Sequence, residues 1–223
     1  MATGFAVNNT STNYMTLFER IRLLAGNEKK SVGWYKSAVK QEASKYGKDL
    51  RKFALDEKRD RIQQSELEDQ NMLRRYPVAG HIYMFEYKAK MKWLPYYDRF
   101  PLVYVIKSNR TEFWGANLHY MQPKRRLIAI KKLRQGMIDM PKACFHKYLN
   151  NHVEGLYLDL ASTEWQTAVL LPTEDFVKDV QGHVFPYDKK DVWDEVDENR
   201  YDSIKARRII YGYGNKRSKE MSR

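Results

Sequence analysis

The chain has 223 residues, with 40 Lys and Arg against 28 Asp and Glu for a formal net charge of +12, and 43% of its residues are apolar. This composition supports a substantial core and excludes wholesale disorder, and the single cysteine, Cys144, excludes an internal disulfide or a thiolate-rich metal site. No apolar run approaches the roughly 18–20 residues that span a bilayer, and the cationic surplus points to a polyanionic partner without defining a fold.

Residues 1–13 are polar and lack the apolar stretch of a secretory signal, so neither export nor glycosylation at Asn8 or Asn109 is expected. Residues 14–75 read as helical. Thr16 can cap a short helix with Leu17, Phe18, Ile21 and Leu24 on its apolar side, ending near Gly26. Trp34, Tyr35, Ala38 and Val39 open a second helix, which is expected to break around Gly47. From 48 to 73 the apolar residues are too sparse for a buried helix, so this stretch reads as an exposed arm or a helix that packs on a partner.

At Gly80 the period changes. Tyr83, Phe85 and Tyr87 fall on alternate positions, as a half-buried strand requires. Residues 94–101 have a proline near each end and read as an ordered aromatic loop. Strands are expected at 102–106 and 112–120, the latter interrupted at Gly115. Pro123 then suits the first turn of a helix over 124–134, with Lys124, Arg125, Lys131 and Lys132 on one side and Arg126, Ala129, Ile130 and Leu133 opposite. A further short helix is expected over 142–153, strands at 156–160, 168–171 and 176–177, and a capped turn at 162–165. The chain is acidic over 188–198 and basic from Arg200 onward.

Charge is unevenly spread: +5 over 1–79, +3 over 80–112, +7 over 113–152, −9 over 153–199 and +6 over 200–223. Basic blocks therefore flank an acidic one. Such a chain could bind nucleic acid with one face and a protein, or a second copy, with another.

The catalytic motifs are weak. The five histidines form no ligand spacing, and a pair of Cys144 with His146 or His152 lacks plausible geometry. Glu86-x-Lys88 at a strand end is a nuclease-like pattern, but no upstream strand brings the aspartate that a Mg²⁺ site needs. No phosphate-binding glycine loop occurs. The chain is therefore expected not to be an enzyme, and no metal, cofactor or small-molecule substrate is expected. The candidate contacts to DNA are Lys124, Arg125, Lys131 and Lys132 on the helix. In the tail they are Lys205, Arg207, Arg208, Lys216 and Arg217, with Tyr211 and Tyr213 available to stack on bases.

Three segments resemble a known family: Gly80-His81-x-Tyr83-x-Phe85-x-Tyr87, then 94–102 with its proline–aromatic loop, then Gly115-x-Asn117-Leu118-His119-Tyr120 with Pro123. Tyr148-Leu149-x-x-His152-Val153, Glu164-Trp165 and Leu171-Pro172-Thr173-Glu174-x-Phe176 extend the likeness to about residue 178. The chain here resembles virion and assembly proteins of large contractile-tailed phages of the T-even and cyanophage type, some described as DNA end protectors. The resemblance implies a virion protein, assembled in the host cytoplasm, that partners other head, neck or tail subunits and duplex DNA ends, with no membrane. It leaves open a non-enzymatic protein of packaging or head–tail assembly that binds genome ends, or a structural subunit of neck, tail or baseplate whose terminal arms bind neighbours. A looser likeness to small toxin barrels of the MazF/PemK type is an analogy of fold alone. The expected architecture is α+β: a helical N-terminal arm (1–79), a small antiparallel Src-homology-3-like β-barrel with an inserted basic helix (80–178) and an extended C-terminal tail (179–223).

Overall fold

The computed structural model describes residues 16–56, 72–90 and 94–198. Helix α1 (Leu17–Ala25) opens with a capping box: Glu19 N–H donates to Thr16 Oγ1, and Thr16 N–H donates to Glu19 Oε2 at 3.0 Å. Leu17, Phe18, Ile21 and Ala25 face inward, whereas Leu24, expected on that side, is exposed. Helix α2 (Val32–Asp56) runs through Gly47 without the expected break. A glycine inside a helix costs only about 1 kcal/mol against alanine, too little to end a helix by itself. Tyr35, Ala38, Val39 and Ala43 of α2 share one core with α1 and with Ile82, Leu102 and Leu118.

Nine strands form two antiparallel sheets among the described residues. They are β1 (Leu73–Arg74), β2 (Ile82–Tyr87), β3 (Tyr97–Asp98), β4 (Leu102–Ser108), β5 (Glu112–Asn117), β6 (Phe145–Leu149), β7 (Val153–Leu160), β8 (Phe176–Val180) and β9 (His183–Pro186). The larger sheet has the order β1-β7-β2-β4-β5-β6 and the smaller β3-β8-β9. Mixed helix and antiparallel sheet is as expected, but the closed Src-homology-3-like barrel is corrected: neither sheet closes, because the edge strands β1 and β6 do not pair. The large sheet instead curls around an aromatic cluster. Tyr87 of β2 and Tyr148 of β6 are not on neighbouring strands, yet their ring centroids are 5.0 Å apart. Phe113 of β5 likewise meets Tyr157 of β7 at 5.7 Å. A second core, containing α1 and α2, covers the other face of the sheet, so side chains and helices bury what a closed barrel would enclose.

The remaining helices are α3 (Pro123–Arg134), α4 (Trp165–Ala168) and α5 (Lys189–Glu198). Two expectations need correction. Residues 142–153 are a 3-10 turn, strand β6 and another 3-10 turn, not a helix. Tyr148 lies directly opposite Phe113, and the rings stack at 5.0 Å, so cross-strand aromatic pairing outweighs any helical periodicity there. Ala168 ends α4 and 169–171 form the turn after it rather than returning to a sheet, with Ala168 and Val169 buried. Gly115 does not interrupt β5. A Cβ there would sit 2.2 Å from Val103 Cγ1 and 2.9 Å from the Tyr104 carbonyl oxygen, so glycine permits the close approach of β4.

Candidate nucleic-acid interface

Helix α3 starts at Pro123, whose missing N–H is not needed in the first turn. Its inward face is Arg126, Ala129, Ile130 and Leu133, as its spacing predicts. Lys124, Ile128 and Lys131 are exposed on the other side, and Arg125 and Lys132 are half-buried beside them. Lys132 is ion-paired with Asp139. Lys124 and Lys131 have no ion-pair partner among the described residues. The structure therefore brings the four expected helix residues together on one side. The expected tail contacts Lys205, Arg207, Arg208, Lys216 and Arg217 lie outside the described residues.

Arg126 anchors that face. Its guanidinium is fully buried and donates from Nε to the Met121 carbonyl (2.7 Å), from Nη1 to Val169 O (3.2 Å) and from Nη2 to His119 O (3.3 Å). Nη2 also pairs with Glu174 Oε1 at 2.5 Å, and Lys189 of α5 reaches the other carboxylate oxygen at 3.1 Å. Burial pushes the Glu174 carboxyl up, but Arg126, His119 and Lys189 outweigh it and hold it at about 2. Burial pulls the Arg126 guanidinium below its ordinary value, while Glu174 supports its charge.

A second buried group adjoins this one. Asp98 Oδ2 faces His119 Nδ1 at 2.7 Å and accepts from Asn117 Nδ2 at 3.0 Å. Its Oδ1 accepts from the Phe100 N–H at 3.1 Å, and His119 Nε2 faces Thr173 Oγ1 at 3.1 Å. Trp193 of α5 donates to the His119 carbonyl at 2.9 Å. Sequence reasoning saw these polar residues only as parts of a motif. The available signal was their position beside prolines and aromatics, where a solvated polar residue has no reason to stand.

Four carboxylates of the acidic block are engaged inside the molecule, while Asp188, Asp191, Asp194 and Glu195 are exposed. Asp159 binds Arg74, Asp175 binds Lys36 and Arg99, and Glu174 binds Arg126 and Lys189. Glu164 accepts from the Phe18 N–H at the start of α1. On the outer side of α3, Lys124 and Lys131 are exposed cations without an ion-pair partner among the described residues.

The catalytic candidates have structural surroundings. Burial pushes the Cys144 thiol far up, which disfavours a thiolate. Burial holds the His146 ring down at about 4, and its Nε2 has no hydrogen-bond partner. His152 Nδ1 lies 2.9 Å from the Lys88 carbonyl, and Glu86 pairs with Lys40 at 2.7 Å. Among the described residues no group of three or more His, Cys, Asp or Glu side chains is placed to hold a metal ion. None of the described helices is long and apolar enough to cross a membrane.

A family model described as Phage T4 terminal DNA protecting protein matches residues 27–143. No curated protein and no solved structure matches the chain. The matched stretch takes in α2, β1 to β5 and all of α3. It reaches further toward the N-terminus than the motifs at 80–178 and stops before those at 148–176. With more than half of its length covered, the chain belongs to the phage T4 terminal DNA protecting protein family.

Proposed function

We propose that this protein is a non-enzymatic component of the phage particle that binds the ends of duplex DNA through the exposed side of α3. The observation that carries this reading is the outer side of α3, where Lys124 and Lys131 are exposed without an ion-pair partner among the described residues and Arg125 and Lys132 stand half-buried beside them. Lys124 and Lys131 are two helical turns apart, about 10 Å of rise, comparable with three phosphates along one DNA strand. Lys205, Arg207, Arg208, Lys216 and Arg217 would add further phosphate contacts. Binding of this kind holds the backbone without reading sequence, which suits protection during packaging.

The test is exonuclease digestion of a linear duplex with and without the protein. Wild-type protein slows digestion, and K124E/K131E protects much less. Undiminished protection by that variant counts against the α3 reading. Mg²⁺-dependent cleavage of the duplex by the protein alone, abolished by Glu86→Ala, would replace the reading with a nuclease.

A contact with other virion proteins has its own support. The β8–β9 hairpin exposes Val180 together with Val184 and Phe185 of the edge strand β9, a surface suited to a protein neighbour.

A further inference from the structure

Beside the C-terminal end of α3 is a cavity built around the Asp159–Arg74 pair. It measures about 390 Å³, and Arg74, His81, Asp159, Ser162 and Trp165 are among its lining residues. Small-ligand sites run from about 300 to 1,000 Å³, so the space suits one nucleotide-sized group.

A single carboxylate organises the lining. Asp159 is nearly buried and has both oxygens engaged. Oδ1 faces His81 Nδ1 at 3.1 Å, while Oδ2 accepts from Arg74 Nε at 3.1 Å and from the Tyr83 hydroxyl at 3.3 Å. Tyr83 is itself held by the Val78 N–H at 3.0 Å. Arg74 thus spends one donor on Asp159, and its two terminal nitrogens have no partner among the described residues. His81 keeps Nε2 unpartnered on the same terms. The Arg74 guanidinium fork, oriented by this aspartate, offers donors that match phosphate oxygens, and the His81 ring, its Nδ1–H turned to Asp159, adds a donor at Nε2 in its imidazolium form. The cavity also joins α3: Arg134 donates to the Ser162 carbonyl and lies over the Trp165 ring at 5.9 Å.

We infer that this cavity receives the terminal phosphomonoester of a DNA strand while α3 holds the adjoining backbone, an inference that rests on the end-binding reading. A terminal monoester carries about −1.5 to −2 charge and three free oxygens, whereas an internal phosphate carries one charge and is flanked by sugars on both sides. The extra charge and free oxygens of the first are what the Arg74 fork would recognise. The cavity supplies the distinction between end and interior that a cationic helix face lacks.

The test uses the full chain and blunt duplexes that differ only in having a 5′-phosphate or a 5′-hydroxyl. Wild-type protein prefers the phosphate on the order of tenfold, the scale of one or two charge-assisted hydrogen bonds. R74Q and H81Q each reduce that preference while binding the 5′-hydroxyl duplex as wild type does. Equal affinity for the two duplexes overturns the inference, as does a preference that persists in both variants. Competition by a free nucleoside 5′-monophosphate at concentrations comparable with the DNA would also overturn it, assigning the cavity to a free nucleotide. Failure to bind any linear duplex at low salt removes the end-binding reading itself. Should R74Q unfold, the wild-type comparison and H81Q still decide the matter.

Discussion

Arg126 Nη2 stands 2.5 Å from Glu174 Oε1, with both side chains out of contact with solvent. The pair joins α3 to the segment before β8. Lys189 and Trp193 extend it to α5, with the Trp193 ring 5.7 Å from the guanidinium carbon. One of the cationic residues of the 113–152 block is therefore an internal fastener, whereas Lys124 and Lys131 on the far side of the same helix are exposed.

Removing one partner leaves a buried charge without compensation. Arg126→Ala and Glu174→Ala are each expected to cost about 3–5 kcal/mol, read by urea unfolding. Replacing both by methionine is expected to cost much less than either single alanine, because no charge is then stranded.

His146 and Glu174 each contribute to an acid dependence of stability. His146 titrates near 4 in the fold because it is buried, against an ordinary 6.5, so the unfolded chain binds more protons between those values. Its contribution is present above pH 6.5 and is lost as the pH falls toward 4, a change of about 3 kcal/mol. The Glu174 contribution is present above its ordinary 4.5 and is lost as the pH falls to about 2. Unfolding measured across this range is expected to weaken in both windows for wild type, and His146→Phe is expected to abolish the upper one.

Alternation of Tyr83, Phe85 and Tyr87 and the spacing of α3 made β2 and the two faces of the basic helix legible from the sequence. Local rules of that kind act within one element. The barrel expectation failed because sheet closure depends on whether β1 and β6 meet, which no local pattern encodes. The helix expected at 142–153 failed because Phe113, some 35 residues away in the chain, claims Tyr148 as a cross-strand partner. Asp98, Asn117, His119, Thr173 and Glu174 were visible as motif residues. Their meeting in one buried polar cluster requires β3, the end of β5 and the approach to β8 to converge. The cavity organised by Asp159 was missed for the same reason, since its residues come from 74 to 165.

Gly115→Ala places a methyl against Val103 and the Tyr104 carbonyl. The Val103 side chain and the β4 backbone must both shift, at a cost of about 1–3 kcal/mol. Thermal unfolding checks this, and an unchanged midpoint would contradict the close packing of β4 on β5.

Within α3 the four cations are not equivalent. Lys132 is already bound to Asp139, and Arg125 is half-buried, whereas Lys124 and Lys131 are exposed. Lys124→Ala and Lys131→Ala are therefore expected to weaken binding to duplex more than Lys132→Ala, and each to reduce the log–log salt slope by about 0.9. Titrations at several salt concentrations test the ordering.

The most direct measurement compares binding of the full chain to a blunt linear duplex and to a covalently closed circle of the same sequence at one salt concentration. The account predicts that the linear form binds on the order of tenfold tighter or more, and that K124E/K131E weakens it while reducing the salt slope by about 2. Equal affinity for circle and linear duplex, or full affinity in the double variant, would contradict end binding through α3.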